Sequence, residues 1–578
     1  MKKILMGATI CSLLFATGCS NEELIQSIDG QKFTIEATMG AESRTYNDGD
    51  GRCLWGEGEQ IYVTSKDGSV FGILTLISNK GKTATFSGTV NGNVSELAYS
   101  FYPVPKNGKI PMGNLEGKNH NAPMSGSIGS GSVQMNYACG LVKLEFEGAE
   151  GEDIEVSAKT TGGTQTSVAG GHYEFDPSTG AMNFVPDGTS KVVINNIPES
   201  GVVYLPVNTT ATSAATETIE VSVAIGNNEP VVADVQVAKG GVTASEENKF
   251  PEIKYDEEAG LVKINEVKTF ADLQTAFARG GAYRLIKDIN ATQTLVVADS
   301  TLFLDLNGYH LQDTANFEHD AALIHLNGGR LEISNNSETP AGIYHSFSTI
   351  RVIKESNLAV NENVEIYSRR GAAIWLDKKD SPLNYNASNS YVKIAGDIVS
   401  DALYEAGDGW ATIYTNGMLE DINMEITDGE IVSDSVMAVY FAGNGNLTIS
   451  GGEFTGYETA VEYRGNGELS ISGGTFTQTG TPASLHANSN GSTAFGVALA
   501  ASPHGNRSQN VEISNATFIA AKDCYAIWEG YVGTGTWTGV NSFELGTGVK
   551  VSGKVHSQSA PQYCTKNCEN SHNEVMEE

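Results

Sequence analysis

Residues 438–454 read AVYFAGNGNLTISGGEF and residues 460–476 read AVEYRGNGELSISGGTF, with eleven of seventeen positions identical at an offset of 22. Within each copy short apolar alternations are interrupted by Gly-Asn-Gly and Ser-Gly-Gly, the punctuation of strands joined by tight corners. Looser copies of the apolar pair stand at Leu304-Leu306, Leu331-Ile333, Leu358-Val360, Val392-Ile394, Met424-Ile426, Val511-Ile513 and Phe543-Leu545. Insertions stretch the period elsewhere, to 42 between Leu469 and Val511. A repeat of this length with short strands and no helix is a solenoid, because one copy cannot bury its apolar face without the next. The spacing predicts a right-handed parallel β-helix over 262–555, with Val439, Leu447, Ile449 and Phe454 stacked on Val461, Leu469, Ile471 and Phe476. Leucine-rich repeats share the period, but their asparagine-centred consensus is missing. Thr269 and Asp272 form a capping-box-like start for a helix with Phe270, Leu273 and Phe277 on one face, suited to close the solenoid's first coil.

Aligning the strands that begin Ala-Ile or Ala-Val places Trp375, Tyr414, Tyr440, Glu462, Gly496 and Trp528 at one outward position. Aromatic faces in a row suit sugar rings, so Trp375, Tyr414, Tyr440, Glu462 and Trp528 are the candidate glycan-binding residues. The competing expectation is that the rings stack on one another, or lie beneath the insertions 379–391, 399–410 and 478–510. Arg369-Arg370 with Asp377-Lys378-Lys379-Asp380 is the nearest approach to a lyase cluster, with a basic group as base and acids for calcium. Mixed charges of this kind are more often a solvated turn. His319-Asp320 with His325 is the nearest approach to a metal site, yet His325 lies between Ile324 and Leu326 on a strand. No column pairs two acids as glycoside hydrolysis requires, and no nucleotide, hydrolase or zincin motif occurs. No catalytic residue and no metal site are therefore assigned, and calcium is the one ion admitted as a cofactor.

Leu302-Phe303-Leu304-Asp305-Leu306-Asn307-Gly308-Tyr309 resembles the early coils of pectin-lyase-like β-helix proteins. That resemblance implies work on polysaccharides, either binding them or cleaving them as a lyase or hydrolase.

The chain has 578 residues, with 36 Lys plus Arg against 69 Asp plus Glu and a formal net charge of -33. Such a surface repels phosphate backbones, which excludes nucleic acid as a partner. It carries 65 Gly, against about 40 at average usage. Lys2-Lys3, an apolar run from Ile4 to Phe15 and Ala16-Thr17-Gly18-Cys19 read as a secretion signal, too short to span a bilayer. It resembles a bacterial lipobox, with Ala16 where the family prefers Leu. The resemblance implies a signal peptide over 1–18, lipid on Cys19 and a linker over 19–32. Ser20-Asn21-Glu22-Glu23 resembles the export signal of surface-exposed Bacteroidetes lipoproteins, placing the protein on the outer membrane. Cys564 and Cys568 fall in a polar tail, 556–578, and read as exposed thiols or one local disulfide.

The N-terminal half alternates with period two. Phe33, Ile35 and Ala37 open a set over 33–138, and Val142, Leu144 and Phe146 open another over 139–240. Both read as antiparallel β-sandwiches, so the fold class is all-β: two sandwiches, a linker over 241–261 and the β-helix. Arg44-Thr45, the run from Trp55 to Val63, Ser100-Phe101-Tyr102-Pro103, the run from Asn136 to Phe146 and Val203-Tyr204-Leu205-Pro206-Val207 resemble, in that order, the fimbrillin family of Bacteroidetes surface proteins. The resemblance implies proteolytic maturation after Arg44 and addition of a neighbouring subunit's strand. The ordinary alternative is an uncut arginine in a loop. Together these readings predict a surface lipoprotein acting as an adhesin or glycan-binding protein, as an accessory or tip fimbrial component. A polysaccharide-cleaving enzyme and a structural stalk without a ligand are the rivals.

Overall fold

The computed structural model describes residues 30–39, 46–47, 53–81, 83–112, 115–116, 122–161, 168–186, 191–209, 216–226, 228–238, 250–313, 322–401, 411–481, 496–531 and 541–564. Cys19, Arg44, His319, Asp320 and Cys568 lie outside them. The chain is all-β, the one α-helix among the described residues being Phe270–Arg279. It divides into two units, Met1–Phe250 and Pro251–Glu578.

In the first unit, strand Gln31–Met39 pairs antiparallel with Thr83–Asn91 and parallel with Ser132–Tyr137. Partners on both edges close a seven-stranded sheet into a barrel, and that closure corrects the sandwich expected over 33–138. Inside, Trp55 is buried edge-on against Phe86 at 4.9 Å and Tyr102 at 5.7 Å. Of the following strands, Gly140–Glu147 pairs antiparallel with Val202–Val207, and others form a five-stranded and a three-stranded sheet. Lys109–Met112 and Leu115–Glu116, from before residue 138, join these sheets by pairing with Gly171–Asp176 and Lys191–Asn195.

In the second unit each full coil contributes a strand to each of three parallel ladders. One coil reads Met437–Phe441, Gly445–Ile449 and Glu453–Gly456; the next reads Thr459–Tyr463, Gly467–Ile471 and Thr475–Gln478. Register is that of the repeat: Val439 pairs with Val461, Leu447 with Leu469, Ile449 with Ile471 and Phe454 with Phe476. These side chains are all buried in one apolar core that runs from Val267 to Ala560, so the unit is a parallel β-solenoid. Phe454, Phe476 and Phe518 stack inside it at 4.7 and 4.8 Å with rings within 14° of parallel.

The Gly-Asn-Gly corners turn where ordinary residues cannot. Gly445 and Gly467 have φ of 140° and 141°, and a Cβ on Gly445 would lie 1.9 Å from the Ile422 carbonyl oxygen. Between them Asn444 Oδ1 accepts the Asn466 backbone N–H at 3.0 Å, tying one corner to the next.

Both ends of the core are closed. Thr269 and Asp272 form the expected reciprocal cap, and the helix buries Leu273, Ala276 and Phe277. At the other end the buried Glu529 carboxylate accepts bonds from Asn541, Ser557 and Ser559, while Tyr563 sits edge-on to Phe543 at 5.8 Å. Cys564 is disulfide-bonded.

Candidate functional site

The first ladder carries the aromatic column. Trp375 pairs with Tyr414, Tyr414 with Tyr440 and Tyr440 with Glu462. The next position is Ala500, not Gly496, and Ala500 pairs with Trp528, which pairs with His556. Upstream the column continues through Arg351 and His325, which the Ala-Ile signature does not reach.

The rings are largely spent on one another. Tyr414 stacks on Tyr440 at 5.4 Å and 14°, Trp375 meets Tyr414 edge-on at 5.6 Å, and Trp528 stacks on His556 at 4.0 Å. Tyr440 is buried, and so is Glu462, which is paired with Arg464 at 3.2 Å. The outward side of this ladder is covered over three coils, where every position of Met437–Phe441, Thr459–Tyr463 and Val497–Ala501 is buried, while Trp375, Tyr414 and Trp528 are half-buried.

Upstream, the insertion at 379–391 folds partly as a hairpin, Lys378–Lys379 with Tyr385–Asn386. The Arg351 guanidinium lies over Trp375 at 4.3 Å and Tyr385 at 5.2 Å, and bonds Asp377 at 2.6 and 3.1 Å. Arg351 and Asp377 are at most 1% exposed, so the pair is a structural one out of reach of solvent. Burial and the Arg351 charge push His325 down to about 4, leaving a neutral imidazole. Burial, then the Asp377 charge, pushes Tyr414 up to about 12.

The charged run proposed for lyase chemistry is therefore dispersed. Asp377 faces Arg351, Lys378 donates to the Met418 carbonyl oxygen at 2.8 Å, Lys379 lies 5.7 Å over the Trp375 ring, and Arg369, Arg370 and Asp380 are exposed. Among the described residues no group of three or more His, Cys, Asp or Glu could hold a metal ion.

A cleft of 520 Å³ opens instead on the second ladder, lined by Asp256, Glu257, Glu258, Arg330, Glu332, Asn357, Leu358, Ala359, Asn361, Tyr391 and Lys393. Parallel pairing builds its floor: Arg330 beside Asn357 beside Tyr391, and Glu332 beside Ala359 beside Lys393. The turn after strand Ile253–Asp256 builds one wall. Arg330 bonds Asp256 at 2.9 Å and Glu332 at 2.8 Å, and lies 5.1 Å over the Phe303 ring. Asn361 donates to Glu332 at 3.3 Å. Burial works against the Asp256 charge, but backbone N–H groups and Arg330 prevail and hold its carboxyl below the ordinary range. Burial, then the bond to Glu425, pushes Tyr391 up to about 12. The site thus offers carboxyl oxygens, amide donors, a phenol and one exposed cation, Lys393, within a volume that suits one or two sugar rings. Sequence reasoning missed it because Tyr391 and Lys393 come together with Asp256 only through the solenoid register.

No protein-family model matches the chain, and no curated protein matches it. Among solved structures it is similar to a "putative cell adhesion protein" from Bacteroides uniformis, at 12% identity and a TM-score of 0.25, covering 41% of this chain and 96% of that one. So slight a likeness carries no functional inference.

Proposed function

We propose that the protein is a surface lipoprotein, anchored to the outer membrane by lipid on Cys19, that acts as an adhesin or glycan-binding protein through its solenoid. In this reading the solenoid is a right-handed, pectin-lyase-like β-helix. The observation that carries the binding function is the cleft on the second ladder. It is sugar-sized, rich in hydrogen-bonding groups and held by adjacent strands of a continuous core, so a ligand meets groups already in position.

Binding is favoured over cleavage by the state of the cleft's acids. Glycoside hydrolysis needs one carboxylic acid kept protonated near neutral pH. Asp256 and Glu332 share the Arg330 guanidinium, and Asp256 is held ionised, which fits hydrogen-bond acceptors rather than proton donors. A fimbrial role is supported by the barrel. Strand Gln31–Met39 has a partner on each side, so its release after a cut at Arg44 would uncover two edges that another subunit's strand could fill.

Incubating the full chain with panels of host and plant glycans tests the reading. Retention of a glycan without new reducing ends or unsaturated products is expected. Turnover of the glycan would move the assignment to an enzyme, and retention of none would leave a stalk. The same panel with Trp375→Ala and Tyr440→Ala tests the aromatic column, whose loss would abolish binding if the rings themselves hold the sugar. For Arg44, mass spectrometry of surface-extracted protein decides: an N-terminus at lipidated Cys19 rules out the cut.

A further inference from the structure

We infer that the solenoid's ligand is an uncharged linear polysaccharide lying along the coil axis on the second ladder, with the cleft as its anchoring end. This rests on the glycan-binding reading and names the polymer class and its direction.

The second ladder is open where the first is covered. On successive strands Asn357, Tyr391, Asn423, Asn446, Glu468 and Asn510 stand in one outward column, in register from coil to coil. Their strands alternate buried with exposed or half-buried positions, so this column faces solvent. Adjacent strands lie about 4.8 Å apart, and a pyranose in an extended chain advances by a similar length. A polymer on this face therefore meets a polar group once per coil, an amide or a phenol at every position but Glu468, whereas a compact ligand reaches only the cleft.

Charge selects the polymer. On the same ladder Glu332, Glu425, Glu468, Glu512 and Glu544 point outward; Glu332 is paired with Arg330 and Glu425 stands beside Lys393, while the other three lie on later coils. Arg330 is already engaged by Asp256 and Glu332. The surplus of carboxylates repels polyuronates, and the amide column needs no charge on its partner.

Titration calorimetry of the full chain with cellohexaose, xylohexaose and mannohexaose, their disaccharides, hexagalacturonate and a glucosamine hexamer tests the inference. One neutral hexasaccharide is expected to bind at least about tenfold more tightly than its disaccharide. Tyr391→Ala should weaken both by a similar factor. Asn446→Ala, on an exposed position two coils beyond Tyr391 and outside the cleft lining, should weaken the hexasaccharide alone. Equal affinity for the two lengths, preference for hexagalacturonate or the glucosamine hexamer, or indifference to both substitutions overturns the inference while leaving glycan binding in place. If no carbohydrate in this set or in the wider panels binds, the inference and the reading beneath it both fall.

Discussion

Replacing Phe476 by Ala removes the middle ring of the three-phenylalanine stack. Phe476 is fully buried, with Phe454 on one side at 4.7 Å and Phe518 on the other at 4.8 Å. Truncating a buried phenylalanine costs about 3–5 kcal/mol, from lost transfer free energy and the cavity left behind. Each stacked aromatic pair adds about 0.5–1.5 kcal/mol beyond burial. Phe454 and Phe518 each lie at an end of the stack, their other ladder neighbours being the aliphatic Ile431 and Val551. Phe476→Ala should therefore cost about 0.5–1.5 kcal/mol more than Phe454→Ala or Phe518→Ala. Because coils stabilise one another mainly through nearest neighbours, the damage should centre on the interfaces that flank Thr475–Gln478. Guanidinium denaturation ranks the three variants, and amide exchange locates the weakened coils. A loss at Phe476 equal to or below that at the end positions would refute the argument that stacking adds to burial here.

Three further outcomes are expected. Arg351→Met strands the buried Asp377 carboxylate and should cost about 3–5 kcal/mol, with Asp377→Asn in the same chain recovering part of it; denaturation of single and double variants checks this. Glu59 is pushed by burial from an ordinary 4.5 up to about 7, against bonds from Gly56 and from the Tyr102 hydroxyl at 3.2 Å. The folded barrel favours the protonated acid, so the barrel's stability should fall as pH rises from 4.5 through about 7 and level off above; Glu59→Gln should flatten that slope in pH-resolved melting. Arg507 donates to the carbonyl oxygens of Gly417, Ala442 and Arg464 at 2.5, 2.6 and 3.3 Å, and Arg507→Ala should cost about 1–3 kcal/mol for each acceptor left unsatisfied, read as faster amide exchange around those corners.

The solenoid was legible because its core is written locally. The repeat at 438–476 sets the inward pairs, and the Thr269 cap is a four-residue motif that needs no distant partner. Barrel closure was not legible, since a strand facing a barrel core and one facing a sandwich core alternate alike. What decides between them is the parallel pairing of Gln31–Met39 with Ser132–Tyr137, far apart in the chain. The aromatic column slipped at one coil because Gly496 and Ala500 are both small residues near an Ala-containing apolar run, and only the ladder shows which faces Trp528. Exposure was least legible of all. Trp375 and Tyr440 look like an open platform in sequence, yet a hairpin tyrosine flanks the same arginine as Trp375, and Tyr440 is buried. The cleft has no aromatic signature beyond Tyr391 and depends on a turn that lies more than a hundred residues earlier in the chain.

The offset of 22 residues between the two closest repeats is also the length of one coil, from Met437 to Thr459. An in-frame duplication of that stretch of gene therefore inserts a physically complete layer, in which each side chain lands on a copy of itself. Phe lands on Phe, the corner glycine on the corner glycine, and the asparagine on the backbone it already bonds. A solenoid of this kind can grow longer in whole steps without redesigning its interior, and its outward face is free to diverge from copy to copy.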